Sequence, residues 1–144
     1  MKKILCFSCL CMALVACGSE DDYYVCKFKD TSSSATMEIY YDSETDEILE
    51  VVMDTEQKIA KEDLDSFSED NFEDYWSKNT AALEMDGVSI SRKYDKSERV
   101  ASMSITIKVD DLEKANRKIF LIPNNLNVED MINIVEKEEY ICNY

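Results

Sequence analysis

The chain has 144 residues, with 31 Asp and Glu against 16 Lys and Arg, a net charge of −15 and no histidine. This length suits one domain with a modest core and excludes two comfortable ones. The charge excludes a nucleic-acid-binding surface, because a strongly acidic chain is repelled by phosphate backbones.

The first predicted element is an export signal over residues 1–16. Lys2 and Lys3 form a positive start, and Ile4 to Val15 form an apolar run too short to span a bilayer as a mature helix. At its end stand Leu14, Val15, Ala16 and Cys17, followed by the small residues Gly18 and Ser19. This is the pattern of a lipobox, where a diacylglycerol is attached to the cysteine thiol and the chain is cut just before it. An ordinary secretory signal cleaved after Ala16, or a short buried helix, is the alternative. A cysteine directly after a small residue at the end of the apolar run favours lipidation at Cys17. Cys6, Cys9 and Cys11 then leave with the signal. The mature chain has 144 − 16 = 128 residues, and its charge is 14 − 31 = −17 once Lys2 and Lys3 are gone. The expected membrane contact is therefore the lipid on Cys17 and not a basic patch, at the extracytoplasmic face of the cell membrane.

Of the six cysteines, Cys26 and Cys142 remain. One lies in the first apolar run of the domain, "YYVCKF", and the other in the last, "EYICNY". Two buried free thiols are the alternative to a bridge; export beyond the reducing cytosol favours the disulfide. Neither cysteine has a histidine to act as its base.

Residues 17–22 read as a lipidated acidic tether, and 23–144 as a single domain. In Tyr23 to Lys29, Tyr24, Cys26 and Phe28 alternate with Tyr23, Val25 and Lys27, a half-buried strand. "ATMEIYYDSETDEILEVVMD" follows as a hairpin, with Met37, Ile39 and Tyr41 on one face before the turn and Leu49, Val51 and Met53 on one face after it. The acidic tip "DSETDE" lacks the glycine and distant glutamate of a calcium loop, so it reads as a solvated turn, and no metal site is expected. Residues 61–84 take a helical period with Phe72, Tyr75, Trp76, Asn79 and Leu83 on one side. Ser68 is placed to cap, Phe67 to staple onto Phe72, and a short helical turn from 62 precedes the main helix from 69. Tyr75 and Trp76 read as core residues rather than a ligand groove.

Val88, Ile90, Arg92 and Tyr94, then "DKSE", then Ala101, Met103, Ile105, Ile107 and Val109 describe a long hairpin with one wet side. Gly87 stands where a positive φ is often required. Asp110 or Asp111 is expected to cap a short helix through Asn116, and "KIFLIP" to form a brief apolar strand or extended run ending at the only proline. Asn127 should cap a last helix bearing Val128, Met131, Ile132 and Val135, stapled by Leu126 onto Met131. "EYIC" then returns as a terminal strand, which a Cys26–Cys142 bridge would place beside the first. The elements sum to an α+β fold: an antiparallel sheet of about five to six strands, with one long helix and a short C-terminal helix packed on one face.

The ordered segments "YYVCKF", "MEIYYDSETDEILEVVM", the acidic helix, "DGVSISRKYDKSERVASMSITIKVDDLEKA" and "NVEDMINIVEKEEYICN" behind a lipobox resemble the YehR-like small bacterial lipoproteins. The resemblance covers nearly all of the mature chain and implies a fold and an envelope location, without an activity. It also implies a glycine in the last helix-to-strand turn, where "EKEEYIC" has none.

Histidine-based triads and zinc sites are excluded by composition, and two glycines are too few for a phosphate-binding loop. No segment isolates a carboxylate pair in an apolar setting, so an enzyme is not expected, and no cofactor is implied. The leading expectation is a monomeric, membrane-tethered, noncatalytic envelope domain that binds a protein or small ligand. Sequestration of cationic peptides or metal ions by charge is the second reading, and an envelope hydrolase the third.

Overall fold

The computed structural model describes residues 22–61 and 69–143. Cys17, the export signal, the helical turn expected from 62, and the Phe67 staple and Ser68 cap lie outside the described residues, as do the side chains of Tyr75 and Asn79.

Six strands form one antiparallel sheet: β1 (Asp22–Lys29), β2 (Ser33–Asp42), β3 (Glu47–Lys58), β4 (Val88–Asp95), β5 (Val100–Lys108) and β6 (Ile141–Asn143). Their order across the sheet is β4-β5-β3-β2-β1-β6. Helix α1 (Glu69–Thr80) separates β3 from β4, and helix α2 (Val128–Lys137) precedes β6. The molecule is α+β and mostly sheet.

The alternation read from the sequence fixes which side of each strand is wet. Cys26, Met37, Met53, Ile105 and Ile90 lie opposite one another across five strands, and this inner face continues through Ile39, Val51 and Ile107 into the main core. Val128, Met131, Ile132 and Val135 of α2 are buried in the same cluster. Leu126 and Met131 share that cluster, and Asn127 caps α2 by accepting from the Asp130 N–H at 3.1 Å. A smaller cluster joins Phe72 of α1 to Ile59 and Ala101, with Trp76 and Tyr94 against it. Phe72 meets Tyr94 at 5.1 Å between ring centroids. Thr80, buried, donates its hydroxyl to the Trp76 carbonyl at 2.8 Å and accepts from the Arg92 guanidinium.

Three local expectations are corrected. Leu49 does not share the inner face with Val51 and Met53: a β-bulge between Tyr40 and Tyr41 shifts the period, so Ile48 is buried and Leu49 is 39% exposed. The helix expected from Asp110 to Asn116 is instead two 3₁₀ segments, Val109–Asp111 and Lys114–Phe120, neither capped by a side chain. "KIFLIP" is no strand, because Lys118 to Phe120 complete the second of these and Leu121 turns the chain at φ +62°. Phe120 and Ile122 are buried, so the apolar run packs by its side chains without joining a ladder.

Gly87 takes φ +79°, and a Cβ there would lie 2.8 Å from Leu112 N and from Lys108 O. No side chain fits between these backbones, which is why glycine stands at this crossing.

Candidate functional site

Strand β1 carries Cys26 to the inner face, and β6 brings Cys142 directly opposite it. The two sulfurs are bonded at 2.03 Å, joining positions 116 residues apart. The expected partner strand is thus in place, and both cysteines are buried in the core. Bonded and enclosed, they are structural and offer no thiolate for chemistry.

The opposite face of the sheet is the larger candidate. Across it the ladder sets Tyr23 beside Tyr40, Glu50 and Lys108, then Val25 beside Glu38, Val52 and Thr106, then Lys27 beside Thr36, Asp54 and Ser104. No described helix covers these positions. Three of the four exposed large hydrophobics among the described residues lie on this side: Tyr23 (55% exposed), Leu49 and Ile141 (74%).

Charge is distributed unevenly. Five lysines reach this outer face from the strands: Lys27, Lys29, Lys58, Lys93 and Lys108. Seven carboxylates share the face, Glu38, Asp42, Glu47, Glu50, Asp54, Glu56 and Asp95, so it is only slightly acidic within a chain of net charge −15. More of the excess acid sits toward one end and on the helices. The end at which β1 begins carries Asp42, Glu44, Asp46, Glu47, Asp86, Asp110 and Asp111, and α2 with its exit carries Glu129, Asp130, Glu136, Glu138 and Glu139. Sequence reading missed this gathering of lysines, although counting them by strand parity would have found it.

Two depressions open on this side. One of about 580 Å³ lies at the acidic end, between Tyr40, Leu49, Glu50, Lys108, Asp110 and Asp111. The other, about 190 Å³, lies at the far end and includes Lys29, Asp30, Ser32, Ser33, Glu56 and Lys58 in its lining.

Local hydrogen bonds move several groups from their ordinary pKa values. The Tyr40 hydroxyl donates to Glu38 at 2.7 Å, and this bond to a carboxylate, with desolvation, pushes its pKa up to about 12. Tyr41 reaches about 12 through its hydrogen bond with Tyr24, whose ring stacks on it at 5.2 Å. Asp30 is held low by the backbone N–H groups of Ser32 and Ser33, and Asp95 by the Ser97 hydroxyl and the Glu98 N–H. In "DSETDE", Asp42 accepts from the Glu44 N–H at 2.7 Å, so its carboxylate shapes the turn. Among the described residues no three His, Cys, Asp or Glu side chains gather to hold a metal ion. No described helix is long and apolar enough to cross a membrane.

No family model matches the sequence, and no curated protein matches it either. Two solved structures share the architecture. The NMR structure of E. coli YehR superposes with a TM-score of 0.68 at 12% identity, covering 87% of this chain and 92% of that one. An NMR structure of a protein from Streptococcus pneumoniae TIGR4 gives 0.57 at 12% identity, over 99% and 97%. The fold is YehR-like. At this identity the likeness is one of fold.

Proposed function

We propose that this chain is a lipid-anchored, noncatalytic domain of the cell envelope, held at the extracytoplasmic face of the cell membrane through Cys17, and that its contact surface is the outer face of the sheet. The carrying observation is that uncovered face, on which Tyr23, Leu49 and Ile141 stand exposed while the opposite side is closed by the core. Export and lipidation rest on "LVAC" and the apolar run before it. Membership of the YehR-like lipoproteins, beyond the shared fold, belongs to the same reading, as does the arrangement of a long and a short helix on one side of the sheet. The buried partners of Phe72 and the buried row of α2 support that arrangement.

The anchor is tested by fractionating cells that make the chain or its Cys17→Ala variant. The parent should sediment with membranes and carry acyl chains on residue 17 by mass spectrometry, and the variant should be released. A variant retained in the membrane fraction would sink the assignment. The binding role is tested by crosslinking in intact cells with washes of rising salt: a discrete partner that survives high salt supports a shaped contact surface.

The depression at Tyr40 favours a second reading, capture of cationic peptides, since Glu50, Asp110 and Asp111 outnumber Lys108 there. Such capture would disappear in moderate salt, because exposed charges are screened over about 10 Å at 0.1 M.

A further inference from the structure

We infer that the depression at Tyr40 takes the carboxyl-terminal residue of a short basic peptide, with the ligand's carboxylate on Lys108, its ammonium groups among Glu50, Asp110 and Asp111, and its aliphatic stem against Tyr40 and Leu49. This deepens the second reading above and rests on it, since that reading has the same depression capture cationic peptides.

The floor of the depression is laid down by ladder register. Tyr23 lies opposite Tyr40, Tyr40 opposite Glu50, and Glu50 opposite Lys108, so these four form one row across β1, β2, β3 and β5 on the outer face. Neighbours in such a row stand about 5 Å apart at their β carbons. The Tyr40 ring is held from two directions: Tyr23 stacks on it at 5.2 Å, and Glu38 accepts from its hydroxyl at 2.7 Å. So fixed, Tyr40 lines the depression.

The walls come from two interruptions of the ladder. Tyr41 pairs with Ile48 and Tyr40 with Glu50, which leaves Leu49 as the unpaired residue of the bulge, 39% exposed and in the lining. On the other side the chain leaves β5 at Lys108 and enters the 3₁₀ turn Val109–Asp111. Val109 and the following Leu112 are buried, and the backbone of this turn packs against Gly87, so Asp110 and Asp111 stand exposed on a fixed support.

The charges in this frame are open to a ligand. Glu50 faces Lys108 across the ladder, yet among the described residues neither forms an ion pair, and no hydrogen bond occupies the carboxylate of Asp110 or Asp111. Three carboxylates and one ammonium around one opening complement a molecule with more positive groups than negative ones. Beyond the row, the outer pair Asp42 and Glu47 is acidic as well, so the field at the opening draws cations. A bare cation would use the carboxylates and be repelled by Lys108, whereas a basic residue with a free carboxyl group uses both signs. Its methylene stem suits Tyr40 and Leu49, and a cation over a tyrosine ring is attracted by the ring's face. The volume of about 580 Å³ lies within the range of small-ligand sites, roughly 300–1,000 Å³.

The test uses the full ¹⁵N-labelled chain in neutral detergent, with lysyl-lysine and its carboxyl-terminal amide as probes. The amide lacks the negative group, so attraction by charge alone favours it. Lysyl-lysine should shift the amide signals of Tyr40, Leu49, Glu50, Lys108, Asp110 and Asp111, and glutamyl-glutamate should not. Lys108→Gln keeps the backbone N–H that donates to the Gly87 carbonyl at 2.8 Å and removes the partner of the ligand's carboxylate. The affinity of lysyl-lysine relative to its amide should then fall by about two- to fivefold, the range of one exposed ion pair. Lys58→Gln, at the far end of the face, should leave that ratio unchanged, and Asp110→Asn with Asp111→Asn should weaken both probes. A ratio indifferent to Lys108→Gln, or changed as much by Lys58→Gln, overturns the inference and leaves capture by charge alone. Shifts centred on α2, or full affinity in the double Asn variant, place the ligand elsewhere and overturn it too. If neither probe shifts the amides of this depression, the inference and the reading beneath it both fail.

Discussion

Cys26 and Cys142 stand directly opposite one another across the β1–β6 ladder, 3.9 Å apart between α carbons and 116 residues apart in sequence. Strand β6 has three residues, too few to hold an edge by ladder bonds alone, so the bridge fastens the C-terminus to the sheet. Replacing both cysteines by alanine should cost about 5 kcal/mol in urea unfolding, the loop-entropy value for a closed loop of this order. Hydrogen exchange should show β6 losing protection first. Unchanged stability in the double variant would mean that the pairing does not constrain the unfolded chain.

Gly87→Ala should destabilise the fold by more than about 1 kcal/mol, since it sets a side chain at positive φ and drives its Cβ into backbone. The obstructing atoms, Leu112 N, Lys108 O and Asp111 C, lie 2.8, 2.8 and 2.9 Å from the Cβ position, and none can rotate away. Thermal unfolding reads the loss, and an equally stable variant would contradict this crossing.

Glu139→Gly should act in the opposite direction. Glu139 holds φ +67° at the end of α2, where the Tyr140 N–H reaches the Val135 carbonyl at 3.3 Å and the Glu139 N–H reaches Glu136 at 3.3 Å. This is the left-handed helix-ending motif that favours glycine, and relief of a non-glycine left-handed residue should contribute about 0.5 to 1 kcal/mol. Denaturant midpoints of the two chains test it, and a lower midpoint for the variant refutes it.

Stability should fall at alkaline pH. An unfolded phenol ionises near 10, whereas Tyr40 and Tyr41 ionise near 12 when folded, so the protonated phenols favour the fold. That contribution is complete below pH 10 and is lost as pH rises through 12. Spectrophotometric titration should show two late tyrosinates, and Glu38→Gln should bring the Tyr40 transition earlier by replacing the charged acceptor of its hydroxyl with a neutral one.

At the acid side the sign reverses. Asp30 and Asp95 are lowered from 3.8 by hydrogen bonds that close their turns, so their contribution is present above that value and lost as pH falls through the folded pKa. Asp95→Asn should flatten the acid limb of the unfolding curve, and an unaltered limb would mean that the turn does not depend on the charge.

The strands were legible because alternation survives any tertiary context that leaves one sheet face wet, and "ASMSITIKV" and "YYVCKF" carry it without interruption. The cap at Asn127 was legible because it is a contact three residues long. Leu49 was misassigned because a bulge is decided by the partner strand, here the step between Tyr40 and Tyr41. "KIFLIP" was misassigned because an apolar run satisfies burial equally as strand or as packed 3₁₀ turn, and only the available ladder positions choose between them. The scarcity of glycine hid the turns as well: Asp46, Arg99, Leu121, Leu126 and Glu139 all take positive φ, a conformation usually announced by glycine.

What the sequence determined by itself is local: strand faces, caps, the overall acidity, and the pair of cysteines left once an export segment is set aside. The ladder register decided the rest. It set Cys26 against Cys142, and it gathered lysines from positions 27 to 108 among the carboxylates of one face while leaving further acid at one end and on α2. Those lysines are far apart along the chain, and their common field exists only where antiparallel pairing brings neighbouring strands to about 4.8 Å, well inside the range over which charges act.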